Sequence, residues 1–132
     1  MKWIASHDYV GIPYLSHGRT RSGVDCWGLT RLVYLEQLGI DLPTYAGAYT
    51  DAAERSEVKA AIENGRSLWT KIETPEPGDV VLLKITRDPT HVGIYVGDGF
   101  MLHVRRGANT CLERLNAPFW RTRVVGYYRY AG

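Results

Sequence analysis

Cys26 sits in the run Asp25-Cys26-Trp27-Gly28-Leu29. His91 opens a second run 65 residues later, His91-Val92-Gly93-Ile94-Tyr95-Val96-Gly97, and His103 follows twelve residues beyond it. A thiol and an imidazole together suffice for nucleophilic acyl transfer: sulfur attacks a carbonyl carbon, and the ring takes the thiol proton and returns it to the departing amine. A cysteine with a reference pKa near about 8.5 is mostly protonated at neutral pH, so it needs activation. The first turn of a helix supplies unpaired N–H groups and the positive end of the helix dipole, and an imidazolium beside the sulfur adds a full charge. The expected arrangement is a Cys26–His91 thiolate–imidazolium pair, with the thiol lowered into a range of about 3.5 to 7.5. His103 is expected to hold the far nitrogen of His91, so that the correct tautomer faces the sulfur. The tetrahedral intermediate needs donors for its oxyanion, and the backbone N–H of Cys26 and the hydroxyl of Tyr14 are expected to supply them. Asp25 and Trp27, flanking the cysteine, are expected on the same oxyanion and substrate side.

The elements that must position these groups follow from periodicity. Between Asp25 and Leu38 the apolar residues Trp27, Leu29, Leu32, Val33, Tyr34, Leu35 and Leu38 lie on most sides of a helical projection. This predicts a helix buried on more than one face, capped by Asp25 and ended by Gly39. Capping-box spacing from Asp51 to Glu54 predicts a second, more exposed helix over about residues 51 to 64, with Asn64-Gly65 as its stop. After Pro75 and Pro77 the pattern changes. Val80 to Ile85, Val92 to Val96, Phe100 to Val104, Thr110 to Leu115 and Val124 to Tyr130 read as strands, separated by Gly, Pro, Asp or Asn. Helix first and strands later predicts an α+β fold with an antiparallel sheet. Residues 1 to 24, rich in Gly, Ser, Pro and Arg, are expected to lie over the domain surface.

The strand pair around Gly97-Asp98-Gly99 carries a register argument. Val92, Ile94 and Val96 share the core face with Phe100, Leu102 and Val104 if a three-residue loop joins the strands, and a two-residue loop puts them on opposite faces. In the shared-face register His103 lies opposite Gly93, and His91 is its diagonal neighbour within side-chain reach.

The chain of 132 residues is long enough for one domain with a real core and too short for two ordinary ones, so residues 1–132 are read as a single domain. With 45% hydrophobic and 23% charged residues, neither disorder nor a fibrous repeat fits. No stretch approaches the roughly 20 apolar residues of a membrane span, and the N-terminus lacks the apolar run of a secretory signal. The formal charge of +2 does not point to nucleic acid, but it is uneven: residues 100 to 132 sum to +5, with six arginines against Glu113 alone. Cys26 and Cys111 are expected as thiols, Cys111 in a buried packing role. A metal centre built from Cys26, His91, His103 and Asp25 is the other chemical option, but no C-x-x-C or H-x-x-x-H pair supports it, so the reading calls for no metal and no cofactor. His7 and His17, outside any element, read as surface residues.

Gly23-Val24-Asp25-Cys26-Trp27-Gly28-Leu29, Leu42-Pro43, Pro77-Gly78-Asp79-Val80-Val81 and His91 to Gly97, in this order and spacing, resemble the NlpC/P60 family of papain-like cysteine peptidases over about residues 11 to 130. The resemblance implies a papain-like fold with the cysteine-bearing helix packed on a central antiparallel sheet. It also implies Cys26 as nucleophile, His91 as base and His103 as orienting residue, with Tyr14 matching a family tyrosine. The family commonly cleaves the bond between D-γ-glutamate and a diamino acid in peptidoglycan stem peptides. Such stems carry carboxylates that Arg19, Arg21, Arg105 or Arg106 would meet. Trp27 departs from the serine usual at that position in wall-remodelling members. The Asp-Cys-Trp-Gly-Leu form looks instead like members encoded among phage tail genes, which are short and lack secretion signals. That context implies phage tail proteins as partners, and the virion tail or the host cytoplasm during assembly as the location. Its rival is a structural tail-tip protein with a peptidase fold and little wall hydrolysis, and a third reading is other thiol acyl chemistry.

Overall fold

The computed structural model of the protein describes residues 6–42, 68–85 and 91–132. The predicted helix over 51 to 64 falls outside them. After a 3-10 turn at Ser6–Tyr9 come two short paired strands, β1 (Arg19–Thr20) and β2 (Gly23–Val24), and then helix α1 (Cys26–Val33). The helix runs on through a π-helical turn at Tyr34–Leu38 and stops where Gly39 takes the left-handed conformation, at φ 66°. The expected cap and stop are therefore both present. Six strands follow: β3 (Trp69–Ile72), β4 (Val80–Leu83), β5 (His91–Gly97), β6 (Phe100–His103), β7 (Cys111–Arg114) and β8 (Val124–Tyr130). They form one sheet in the order β3-β8-β4-β5-β6-β7, every pair antiparallel, which is the predicted α+β architecture.

Each sheet face has its own apolar cluster. Val80, Leu82, Val92, Ile94, Leu102 and Val104 join Cys26, Trp27, Leu29, Leu32 and Val33 of α1 in the larger cluster. Val81, Leu83 and Met101 join Leu115 and Trp120 in the smaller one. Strand β4 is buried throughout because it sits between two neighbours and under both clusters. Burying one Leu or Val side chain contributes about 1.5 to 3 kcal/mol, so the aliphatic run Val80–Leu83 anchors the sheet. Asp79, at its start, makes a two-pronged ion pair with Arg129 of β8 at 3.0 and 2.9 Å and accepts the Glu76 N–H at 2.7 Å. The Pro77-Gly78-Asp79 motif thus works as a turn that locks β4 to β8.

Strand β3 was not foreseen. It is four residues long at a sheet edge, so little alternation is available to reveal it. Trp69 fixes it by packing edge-on to Trp27, at a centroid distance of 6.3 Å, and to Tyr130, at 5.6 Å. The N-terminal segment also does more than cover the surface. Tyr9 and Ile12 enter the core, and Gly11 and Tyr14 donate backbone hydrogen bonds to Thr110 and Ala108, just before β7.

The turn between β5 and β6 satisfies the register argument by an unexpected route. Asp98 and Gly99 form a two-residue turn, both at positive φ (53° and 80°), while Gly97 pairs with Phe100 and Tyr95 with Met101. Val96 is left as a bulge, and that extra residue restores the phase a two-residue turn would have inverted. Ile94 pairs with Leu102, so Gly93 faces His103, as the shared-face register requires.

Candidate active site

The site has a helix side and a strand side. On the helix side Asp25 is the N-cap of α1: Oδ1 accepts the Gly28 N–H at 2.7 Å and an Arg19 Nη1 hydrogen at 2.9 Å, and Oδ2 accepts the His17 N–H at 2.9 Å. The carboxylate is fully buried and occupied by intramolecular donors, so it fixes the helix start and does not meet substrate as expected. A Cβ added to Gly28 would lie 1.9 Å from the Gly18 carbonyl oxygen, so only glycine lets the preceding loop close against the helix. His17 belongs to that clamp; it is half-buried at φ 62°, not a surface residue. Cys26 follows the cap directly, buried in the first turn of α1, and α1 packs against β5, the strand that His91 begins. Tyr14 is half-buried and bridges Val24, two residues before Cys26, with the Arg106 guanidinium 5.9 Å from its ring.

Trp27 corrects a second expectation. Its indole is 1% exposed and packs in the aromatic cluster with Trp69, so it belongs to the core. Arg19 is held by the buried Asp25, and Arg21 pairs at the surface with Glu36 at 2.7 Å. Arg105 and Arg106 are exposed near the strand side.

On the strand side His91 Nε2 lies 2.9 Å from His103 Nδ1, and His103 Nε2 lies 2.7 Å from Glu113 Oε1. These contacts fix the proton order. The Glu113 carboxylate only accepts, so His103 carries its proton on Nε2. Its Nδ1 then accepts from His91 Nε2–H, which leaves Nδ1 of His91 as the basic nitrogen. Trp120 holds the three members together: it stacks on His91 at 5.7 Å and 17°, meets His103 edge-on at 5.1 Å, and donates its indole N–H to Glu113 Oε2 at 3.1 Å.

Electrostatics disfavour the charged form of both rings. Burial, then the neighbouring His103 and Arg105, hold His91 well below the usual imidazole range. Burial also lowers His103, against the raising effect of Glu113. Burial of Glu113 works toward a higher pKa, but the donors Trp120 and His103 outweigh it and keep the carboxylate below its ordinary value. Burial, His103 and Arg105 thus all work against the imidazolium expected on His91 and favour its neutral, basic form.

Glu113 and Trp120 were missed from sequence. Glu113 is diagonal to His103 because His103 pairs with Cys111 and Met101 with Glu113. The available signal was that Glu113 is the sole acidic residue between 100 and 132. Cys111 shares its face, half-buried, with Sγ 3.8 Å from both His103 Nε2 and Glu113 Oε1. Its expected role as buried packing is corrected by this register, which turns the thiol toward polar neighbours. The zinc alternative built on Asp25 loses that ligand to the helix cap.

The fold and part of the sequence are shared with known proteins. The NlpC/P60 domain of the peptidoglycan hydrolase SagA superposes with a TM-score of 0.63 at 24% identity, over 92% of this chain and 89% of that one. An NlpC/P60 family protein from Bacillus cereus superposes with a TM-score of 0.69 at 23% identity, over 94% of this chain and 37% of that one. In sequence, the chain is 32% identical over 125 residues to a gamma-DL-glutamyl hydrolase of Bacillus subtilis, covering 92% of this chain and 27% of the relative. It is 29% identical over 118 residues to the murein DD-endopeptidase MepS/murein LD-carboxypeptidase of Escherichia coli, covering 88% and 54%. The chain thus spans about half or less of these two relatives' length. The family model described as NlpC/P60 matches residues 11–129, a span that contains the cysteine helix, both histidines and Glu113, and this chain belongs to the NlpC/P60 family.

Proposed function

We propose that this domain is a cysteine peptidase that hydrolyses peptidoglycan stem peptides, with Cys26 as nucleophile, His91 as general base and His103 as the orienting residue. The observation that carries the reading is the ordered chain from Glu113 through His103 to His91, which leaves the Nδ1 lone pair of His91 as its basic end. In this mechanism His91 Nδ1 takes the Cys26 thiol proton, and the thiolate attacks the stem-peptide carbonyl. Backbone N–H groups of the first turn of α1, with the Tyr14 hydroxyl, stabilise the oxyanion. His91 then protonates the departing amine, and water cleaves the thioester by the same route in reverse. While His91 is cationic, Glu113 stabilises the charge through His103. Arg105 and Arg106, exposed beside the histidine chain, meet stem carboxylates.

The name of the gamma-DL-glutamyl hydrolase supports the bond between D-γ-glutamate and the diamino acid as the one cleaved, and that of the murein endopeptidase supports the wall as the substrate. Mass spectrometry of muropeptides and intact sacculi tests it. A fragment ending at γ-D-glutamate is expected with the unmodified protein and absent with Cys26→Ala. No fragment from either substrate would overturn the reading and favour a structural role. The same proposal includes action as a phage tail assembly or tail-tip component, in the virion tail or the host cytoplasm during assembly. That part rests on the Asp25-Cys26-Trp27-Gly28-Leu29 form. Mass spectrometry of purified virions is expected to find the chain among tail proteins, and its absence there would remove this part alone.

A further inference from the structure

We propose that His103, Cys111 and Glu113 form an inhibitory binding site for a zinc-class divalent cation, distinct from the Cys26–His91 pair. The three donor atoms make a triangle: Nε2 to Oε1 is 2.7 Å, and Sγ is 3.8 Å from each. All three lie within 4.8 Å of one another. A cation about 2.0 Å from Nε2 and Oε1 and about 2.3 Å from Sγ fits just above the plane of that triangle. A thiolate with an imidazole and a carboxylate selects zinc and its neighbours over magnesium or calcium, which prefer all-oxygen sites. The supporting contacts already exist, since His91 holds the other nitrogen of His103 and Trp120 holds the other oxygen of Glu113. Cys111 is half-buried and the Glu113 side chain is 41% exposed, so the cation enters from solvent and a water completes a tetrahedral set.

Occupancy inverts the proton order of the histidine chain, and this consequence rests on the reading of His91 as base. The Cys111 thiol and His103 Nε2 each release a proton to solvent. His103 takes the His91 Nε2 proton at Nδ1, and His91 takes one proton from solvent at its own Nδ1. One proton is released per cation bound. His91 then presents an N–H where the base needs a lone pair, and hydrolysis stops while Cys26 itself is untouched.

The test uses Co2+ as a coloured probe on the full chain. In Cys26→Ala, Cys111 is the only thiol left, because the chain has two cysteines. One equivalent of Co2+ is expected to give a thiolate charge-transfer band there, and the band is expected to vanish in Cys26→Ala/Cys111→Ser. No band in Cys26→Ala, or a band that survives in the double variant, overturns the site. For wall cleavage, Zn2+ is expected to inhibit the unmodified protein, and Cys111→Ser is expected to need about tenfold or more Zn2+ for the same inhibition. Equal sensitivity would mean that the metal acts at Cys26, and would overturn the inhibitory role. If the metal-free protein cleaves nothing, the hydrolase reading fails while the Co2+ band still decides the site.

Discussion

The two sides of the site are built on opposite plans. On the helix side a single carboxylate, Asp25, gathers donors from residues 17, 19 and 28, all local in sequence, and is fully buried with its bonds made. On the strand side a carboxylate of β7, Glu113, is half-open to solvent and acts through imidazoles on β6 and β5, with Trp120 from the turn before β8 as the clamp. The first carboxylate sets a position and the second sets a protonation state. A side whose polar atoms are saturated by backbone and arginine donors holds geometry. A side made of two imidazoles in series transmits a proton order, and any change at one end is felt at the other.

The largest expected effect removes the reacting groups from the two sides in turn. Cys26→Ala and His91→Ala are each expected to lower kcat/KM for stem-peptide cleavage by about 10^4-fold or more, and the two losses are not expected to add in the double variant, because the residues act as one unit. Circular dichroism and the melting temperature of Cys26→Ala should match the parent. His103→Ala is expected to cost less than His91→Ala, since it orients the base without touching the substrate. Equal losses would mean that the second imidazole is as central as the first.

Next in size is Asp25→Ala. It strips the cap from α1 and leaves the Arg19 guanidinium, 16% exposed, without this carboxylate. A stability loss of about 3 kcal/mol is expected, read from urea unfolding. Glu113→Gln should leave urea unfolding nearly unchanged and lower kcat by about 10- to 100-fold with little change in KM. An amide cannot accept from Trp120 and from His103 at once. If its oxygen serves Trp120, its NH2 group donates to His103 Nε2 and forces the proton to Nδ1. Adding Trp120→Phe removes the competing donor, lets the oxygen turn to His103, and is expected to return part of the lost rate. If Asp25→Ala costs only rate and Glu113→Gln only stability, the contrast between the sides is wrong.

The same contrast explains what the sequence revealed. Asp25, Cys26 and Gly39 were legible because capping and termination depend on residues within one helix, and the observed cap and stop match them. His91 and His103 were placed together because one short turn joins their strands, though the Val96 bulge, and not a longer loop, supplies the phase. Glu113 and Trp120 were not legible. Their contacts depend on the β6–β7 register across residues 104 to 110 and on a turn at 116 to 123, and neither is set by a local pattern. Trp27 was misread for a related reason: its burial depends on Trp69, a residue of the edge strand that escaped notice.

The smallest expected effect is a pH dependence set by the two buried imidazoles of the strand side. His91 and His103 both have folded pKa values below the ordinary imidazole value, chiefly because they are buried. An unfolded histidine titrates near about 6.5. Above that pH both rings are neutral in either state and contribute no slope. As pH falls below it, the unfolded chain takes up protons that the folded chain refuses, so stability is lost, by up to about 1.4 kcal/mol per pH unit for each unmatched proton. The window runs downward from about pH 6.5 to about pH 5, where carboxylates begin to add their own term. Urea midpoints at pH 7.5, 6.5 and 5.5 measure it. The parent is expected to weaken across the lower interval, and His91→Gln to weaken less steeply. A slope in His91→Gln equal to the parent's would show that burial does not hold this ring neutral, and the proton order drawn from Glu113 to His91 would lose its resting state.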